Sequence, residues 1–121
     1  MATGFRNLTA YKKAFTLAME IFKTCKTFPK IEKYSLTTQI TNSSRSVCAC
    51  IGEGYHKRRY PAHFVSKMTD ADMENTETQV WLDFALACTY ISEDVYNDFL
   101  LKSEEIGRLL NHMIENPDKY K

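Results

Sequence analysis

Residues 61–91 read PAHFVSKMTDADMENTETQVWLDFALACTYI, and their apolar periodicity decides the fold. Phe64, Met68, Ala71, Asn75, Thr78, Leu82 and Ala85 recur in alternating steps of four and three, the spacing of a helix face packed into a bundle. Pro61 suits a first helical position, so one long helix is predicted over 61–91. At about 100° per residue, Met73, Val80, Phe84, Ala87 and Ile91 fall together on nearly the opposite side, with Trp81 beside them. One bundle core covers only one of these stripes. The second is therefore the predicted interface of a homo-oligomer.

Three more helices follow from the same reading. Leu8, Tyr11, Phe15, Ala18, Phe22 and Cys25, joined by Ala14, Ile21 and Phe28, make an apolar stripe that predicts a helix over 8–27, with Asn7 as its cap and Pro29 beyond its end. Leu36, Ile40, Ser43, Val47 and Ile51 mark a second helix over 36–53, capped by Ser35 and stopped by Gly52 and Gly54. Small residues around that seam, Ser43, Ser44, Ser46 and Ala49, permit close helix approach. Ser92 caps a fourth helix over 93–115, where Glu93 and Asp94 favour the helix N-terminus and Phe99, Ile106, Leu110 and Met113 form the seam. Asn116 and Pro117 stop it. No alternating apolar and polar run supports a strand. The predicted fold is all-α, one antiparallel up-down four-helix bundle spanning 1–121.

The 121 residues are ordinary for one domain, and 44% hydrophobic with 26% charged residues is the composition of a compact folded chain. No apolar run has the length of a membrane span or signal peptide, which predicts a cytoplasmic protein with no membrane contact. The four cysteines, Cys25, Cys48, Cys50 and Cys88, are then expected to be reduced and buried. Cys48 and Cys50, two apart on a helix, diverge by about 200° and cannot share a metal ion.

The formal net charge of +1 hides a division. Residues 1–66 carry eleven basic and three acidic groups, a balance of +8; residues 67–121 carry five and twelve, a balance of −7. The densest basic stretch is Tyr55, His56, Lys57, Arg58, Arg59 and Tyr60, expected as a loop offering cations to phosphates and rings to bases. Lys12, Lys23, Lys26 and Lys30 fall within about 60° on the first helix's wheel and are further candidate contacts for RNA or DNA. The same division also suits self-assembly, the basic half of one subunit meeting the acidic half of the next.

No catalytic signature is present. His56, His63 and His112 have no partners at metal-ligand spacing, and Gly52-Glu53-Gly54 matches neither a phosphate loop nor a dinucleotide motif. No enzyme, metal or cofactor is predicted. Glu77 sits mid-helix, either paired with a basic group such as Arg45 or on a solvated acidic face with Asp70 and Glu74.

Phe5-Arg6-Asn7-Leu8 with Tyr11 and Ala14, Phe28-Pro29, Glu32-x-Tyr34-x-Leu36-x-x-Gln39-Ile40 and Ser46-Val47-x-Ala49-x-Ile51-x-Glu53-Gly54-Tyr55 resemble the 23S ribosomal RNA intervening sequence proteins. Glu77, Leu82 and Ala85 fit that pattern on the third helix, so the resemblance covers nearly the whole chain. Cys48, Cys50, Gly52 and Glu74 depart from it, standing where Pro, Asn, Ala and Ser are usual. The resemblance implies a bacterial four-helix bundle that assembles as a ring-like homopentamer. The related accessory variability proteins of diversity-generating retroelements imply nucleic acid and a reverse transcriptase as possible partners.

Overall fold

A computed structural model describes residues 3–121. Four helices, α1 (Thr9–Cys25), α2 (Leu36–His56), α3 (Pro61–Ala87) and α4 (Glu93–Glu115), make an all-α bundle, with 3-10 turns at Gly4–Asn7, Lys30–Glu32 and Pro117–Tyr120. α2 and α4 each pack between α1 and α3. Pairings run in opposite directions along neighbours. The Ser43 and Thr78 hydroxyls meet at 2.9 Å, and Lys67 reaches back to Glu53 at 3.4 Å; Asn75 meets Ser103, while Asp83 accepts from Tyr96. The bundle is thus antiparallel, as short turns between consecutive helices require.

Every residue of the 4,3 seam of α3, from Phe64 to Ala85, is buried. Its polar members, Asn75 and Thr78, are satisfied inside the core. Asn75 donates from Nδ2 to the Ser103 carbonyl at 2.9 Å and accepts from Ser103 Oγ at 2.9 Å, while Gln79 donates to the same hydroxyl at 3.0 Å. Such a layer fixes the register of α2, α3 and α4, because a slide would leave these groups unpaired in an apolar interior.

Helix limits differ from the sequence reading for identifiable reasons. α1 starts at Thr9, because the Leu8 amide closes a 3-10 turn onto the Phe5 carbonyl; Asn7 lies inside that turn and caps nothing. The last turn after Cys25 tightens, so Lys26 and Thr27 leave the helix. Ser35 occupies the cap position of α2 without a side-chain bond; Glu32 Oε1 accepts from the Leu36 amide instead, and its Oε2 accepts from Tyr90 at 2.8 Å. That bond pushes the Tyr90 hydroxyl up to about 12.

α2 runs through both glycines to His56. Gly54 is buried, and a Cβ there would lie 2.7 Å from Met68 Cε and 2.9 Å from Lys67 Cβ. The missing side chain lets α2 and α3 approach closely; it does not end the helix. α3 stops at Ala87 rather than 91. Thr89 takes a left-handed φ of 60°, the Thr89 amide bonds the Leu86 carbonyl, and the Tyr90 amide bonds the Ala85 carbonyl at 2.9 Å, a helix-closing pattern. This reversal turns Ile91 into the core at 8% exposure. Ser92 caps α4 as predicted, accepting from the Val95 amide at 3.2 Å.

α1 presents the largest correction. Its buried face keeps the expected Ala14, Ala18, Ile21 and Cys25 and adds Ala10 and Leu17, so it is centred roughly a quarter turn from the Tyr11–Phe15–Phe22 side of the predicted stripe. Phe15 (50% exposed), Met19 and Phe22 remain outside. Alanines allow the helix to lie close against its neighbours; the aromatic side would hold it away. Among the cysteines only Cys25 is buried, Cys48 and Cys50 are half-buried, Cys88 is exposed, and all four are free thiols. Burial pushes Cys25 and Cys48 up to about 11, which keeps them protonated. No helix among the described residues is long and apolar enough to cross a membrane.

Candidate nucleic-acid interface

The stretch Tyr55–Tyr60 lies at one end of the bundle, but it is not all loop. Tyr55 and His56 complete the last turn of α2, Lys57–Tyr60 make the connection, and Pro61 opens α3. Arg58 is held rather than free: Nη1 donates to the Tyr55 carbonyl at 3.2 Å, and the guanidinium lies 4.3 Å from the centre of the Tyr55 ring. Lys57, Arg59, His56 and Tyr60 are exposed, with Tyr60 edge-on to His63.

The turn Gly4–Asn7 brings Arg6, a basic residue outside the expected contact set, to this end. Gly4 has a φ of 61°, a conformation only glycine takes without strain, and this turns the chain across the end of α2. Phe5 packs edge-on against Tyr11 at 5.0 Å, and the Arg6 guanidinium lies 4.4 Å above the Phe5 ring. Between this turn and α2 opens a groove of about 1120 Å³ with Arg6, His56, Lys57 and Arg58 along it. Its single carboxylate, Glu53, is paired with Lys67. Arg6 was legible as a positive charge, but its place beside α2 depends on a tertiary fold-back that periodicity does not report.

The four lysines do not join this end as one patch. Lys12 is on the first turn of α1, near it; Lys23 lies eleven residues on, about 16 Å along the helix. Lys26 follows α1, and Lys30 belongs to a 3-10 turn at the opposite end of the bundle. The ion pairs of the described residues use Lys13 with Glu105, Lys67 with Glu53, Lys102 with Glu20 and Asp98, and Lys121 with Asp118, so Lys12, Lys23, Lys26, Lys30, Lys57, Arg58 and Arg59 are all unpaired. Arg45 does not meet Glu77. Its guanidinium lies 5.3 Å from the Phe22 ring, and Glu77 accepts instead from Trp81 Nε1 at 3.2 Å.

The outer side of α3 carries Met73 (66% exposed), Val80 and Phe84 (54% exposed), with Ala87 exposed and Trp81 half-buried against Phe84. Five of the six predicted interface residues are at least partly open; the buried Ile91 is removed from the set. Beside them the Glu74 carboxyl is raised from its ordinary value, first by burial and then by Glu77 and Asp70.

These features define an antiparallel four-helix bundle with an unneutralised basic end and apolar residues left open on α1 and α3. Residues 6–112 match the family described as 23S rRNA-intervening sequence protein, and the chain belongs to that family. It is similar to a solved protein of unknown function from the S23 ribosomal protein family of Bacteroides thetaiotaomicron, with 27% identity, a TM-score of 0.78, and coverage of 88% of this chain and 95% of that one. No curated protein matches it.

Proposed function

We propose that this protein is a non-enzymatic bundle subunit that contacts structured RNA through the basic end formed by Arg6, Tyr55 and residues 56–60. The observation that carries this reading is that, among the described residues, Lys57, Arg58 and Arg59 are three consecutive cations with no carboxylate within ion-pair distance, whereas Lys13 and Lys102 on the α1–α4 face are paired. Cations held without partners beside aromatic rings suit phosphates and bases. Binding of a hairpin RNA pool, followed by fluorescence anisotropy, tests it. Replacing Lys57, Arg58 and Arg59 by Gln should weaken binding about tenfold, as loss of roughly 1.4 kcal/mol implies; unchanged affinity refutes the assignment.

Self-association is part of the same proposal, and the open apolar residues favour it. Phe15, Met19 and Phe22 on α1 and Met73, Val80 and Phe84 on α3 belong to diagonally placed helices, so contact between the two sets is heterologous and closes into a ring when the rotation allows, a pentamer by family resemblance. A scaffold that only self-assembles is the competing reading. Sedimentation of wild type and Phe84→Glu separates them from a monomer: the wild type should sediment as an oligomer and the variant as a smaller species. A wild type that is monomeric at all concentrations contradicts assembly. Absence of RNA binding by a stable oligomer leaves the scaffold.

A further inference from the structure

The groove between the Gly4–Asn7 turn and the last turns of α2 has a construction that phosphate attraction alone does not require. Its floor on α2 includes Ala49 and Gly52, which present almost no side chain, and its length carries two guanidinium groups, each laid on a ring: Arg6 on Phe5 at 4.4 Å and Arg58 on Tyr55 at 4.3 Å. A guanidinium held over one face of an aromatic ring at such a distance can still offer its other face to a second flat partner. Arg58 is further immobilised through its bond to the Tyr55 carbonyl, so little freedom remains to be lost on binding.

We infer that this groove receives unpaired nucleotides of an RNA strand, with bases stacked against Arg6 and Arg58 and the flanking phosphates held by Lys57 and Arg59. The inference rests on the RNA reading above and specifies the form of RNA. At about 1120 Å³ and open along its length, the groove exceeds the space one small ligand fills and suits a strand passing through. A duplex keeps its bases paired and inside, so it offers the groove phosphates but no free ring face. An acidic peptide would satisfy the cations and leave the two flat guanidinium faces uncovered.

The test separates stacking from charge. A fluorescein-labelled ten-nucleotide A-rich RNA, alone or annealed to its complement, is titrated with wild type and with Arg6→Lys and Arg58→Lys, which keep the charge and lose the planar stack. The wild type should favour the single strand. Each substitution should weaken single-strand binding about tenfold, with duplex affinity and salt dependence unchanged. Thermal melts should match wild type for Arg6→Lys, whose side chain is exposed, and fall only slightly for Arg58→Lys, which loses its bond to the Tyr55 carbonyl. Equal binding of strand and duplex, or single-strand affinity indifferent to both substitutions, overturns the groove and leaves RNA contact standing. Failure of wild type to bind either RNA overturns both. Displacement of the strand by a polyglutamate peptide at matched charge shows that the groove reads charge only and also overturns the inference.

Discussion

Two sets of cations on this bundle have opposite fates. On the α1–α4 face, Lys13 lies 3.1 Å from Glu105, and Lys102 lies 2.9 Å from both Glu20 and Asp98. At the α2–α3 turn, Lys57, Arg58 and Arg59 have no such partners, and the one carboxylate in the adjoining groove is taken by Lys67. The nearly zero net charge therefore does not describe either region. The carboxylates that balance the basic half are mostly on α3 and α4, and those of α3 gather on its own surface, where Glu74 is raised by burial and by Glu77 and Asp70. The proposed RNA contact is accordingly assigned by where the ion pairs stop.

Four variants probe that contrast, in descending size. Gly54→Ala should cost about 2 kcal/mol in denaturant unfolding, because the added Cβ collides with the Lys67 and Met68 turn that holds α3 against the basic end of α2. An unchanged unfolding midpoint would show that the close approach is not needed. Replacing Lys57, Arg58 and Arg59 by Gln should lower RNA affinity by about 1.4 kcal/mol with little change in unfolding. Thr89→Gly should stabilise by about 1 kcal/mol by relieving a β-branched residue at a φ of 60°, and it should leave RNA affinity alone, since that turn is at the far end. Lys102→Gln, on the paired face, should cost roughly 0.5 kcal/mol because its partners are half-exposed, and should leave RNA binding unchanged. A loss of RNA affinity in this last variant would break the distinction between the two regions.

The fold was legible where side-chain size and spacing agreed. The α3 seam from Phe64 to Ala85 alternates strictly and is buried throughout, polar Asn75 and Thr78 included. On α1 they disagreed: counting apolar residues favours Phe15 and Phe22, whereas close packing selects Ala10 and Leu17 beside the expected Ala14 and Ile21. Gly54 was read as a terminator because the same missing Cβ serves both a helix end and a close helix contact. Ile91 continued a periodic stripe on paper, yet the left-handed Thr89 reversed the chain before reaching it. The basic turn was visible as consecutive residues. Phe5 and Arg6 were not recognised as its neighbours, because the 3-10 turn places them across nearly fifty residues of sequence.

The most direct test of the unneutralised basic end is the salt dependence of RNA binding between 50 and 200 mM salt, wild type against the Lys57, Arg58 and Arg59 triple Gln variant. Each phosphate contact contributes roughly 0.7 to 0.9 to the slope of log affinity on log salt, so with Lys57 and Arg59 on phosphates the variant's slope should be shallower by about 1.5 to 2. Identical slopes would contradict the assignment of RNA contact to this end of the bundle.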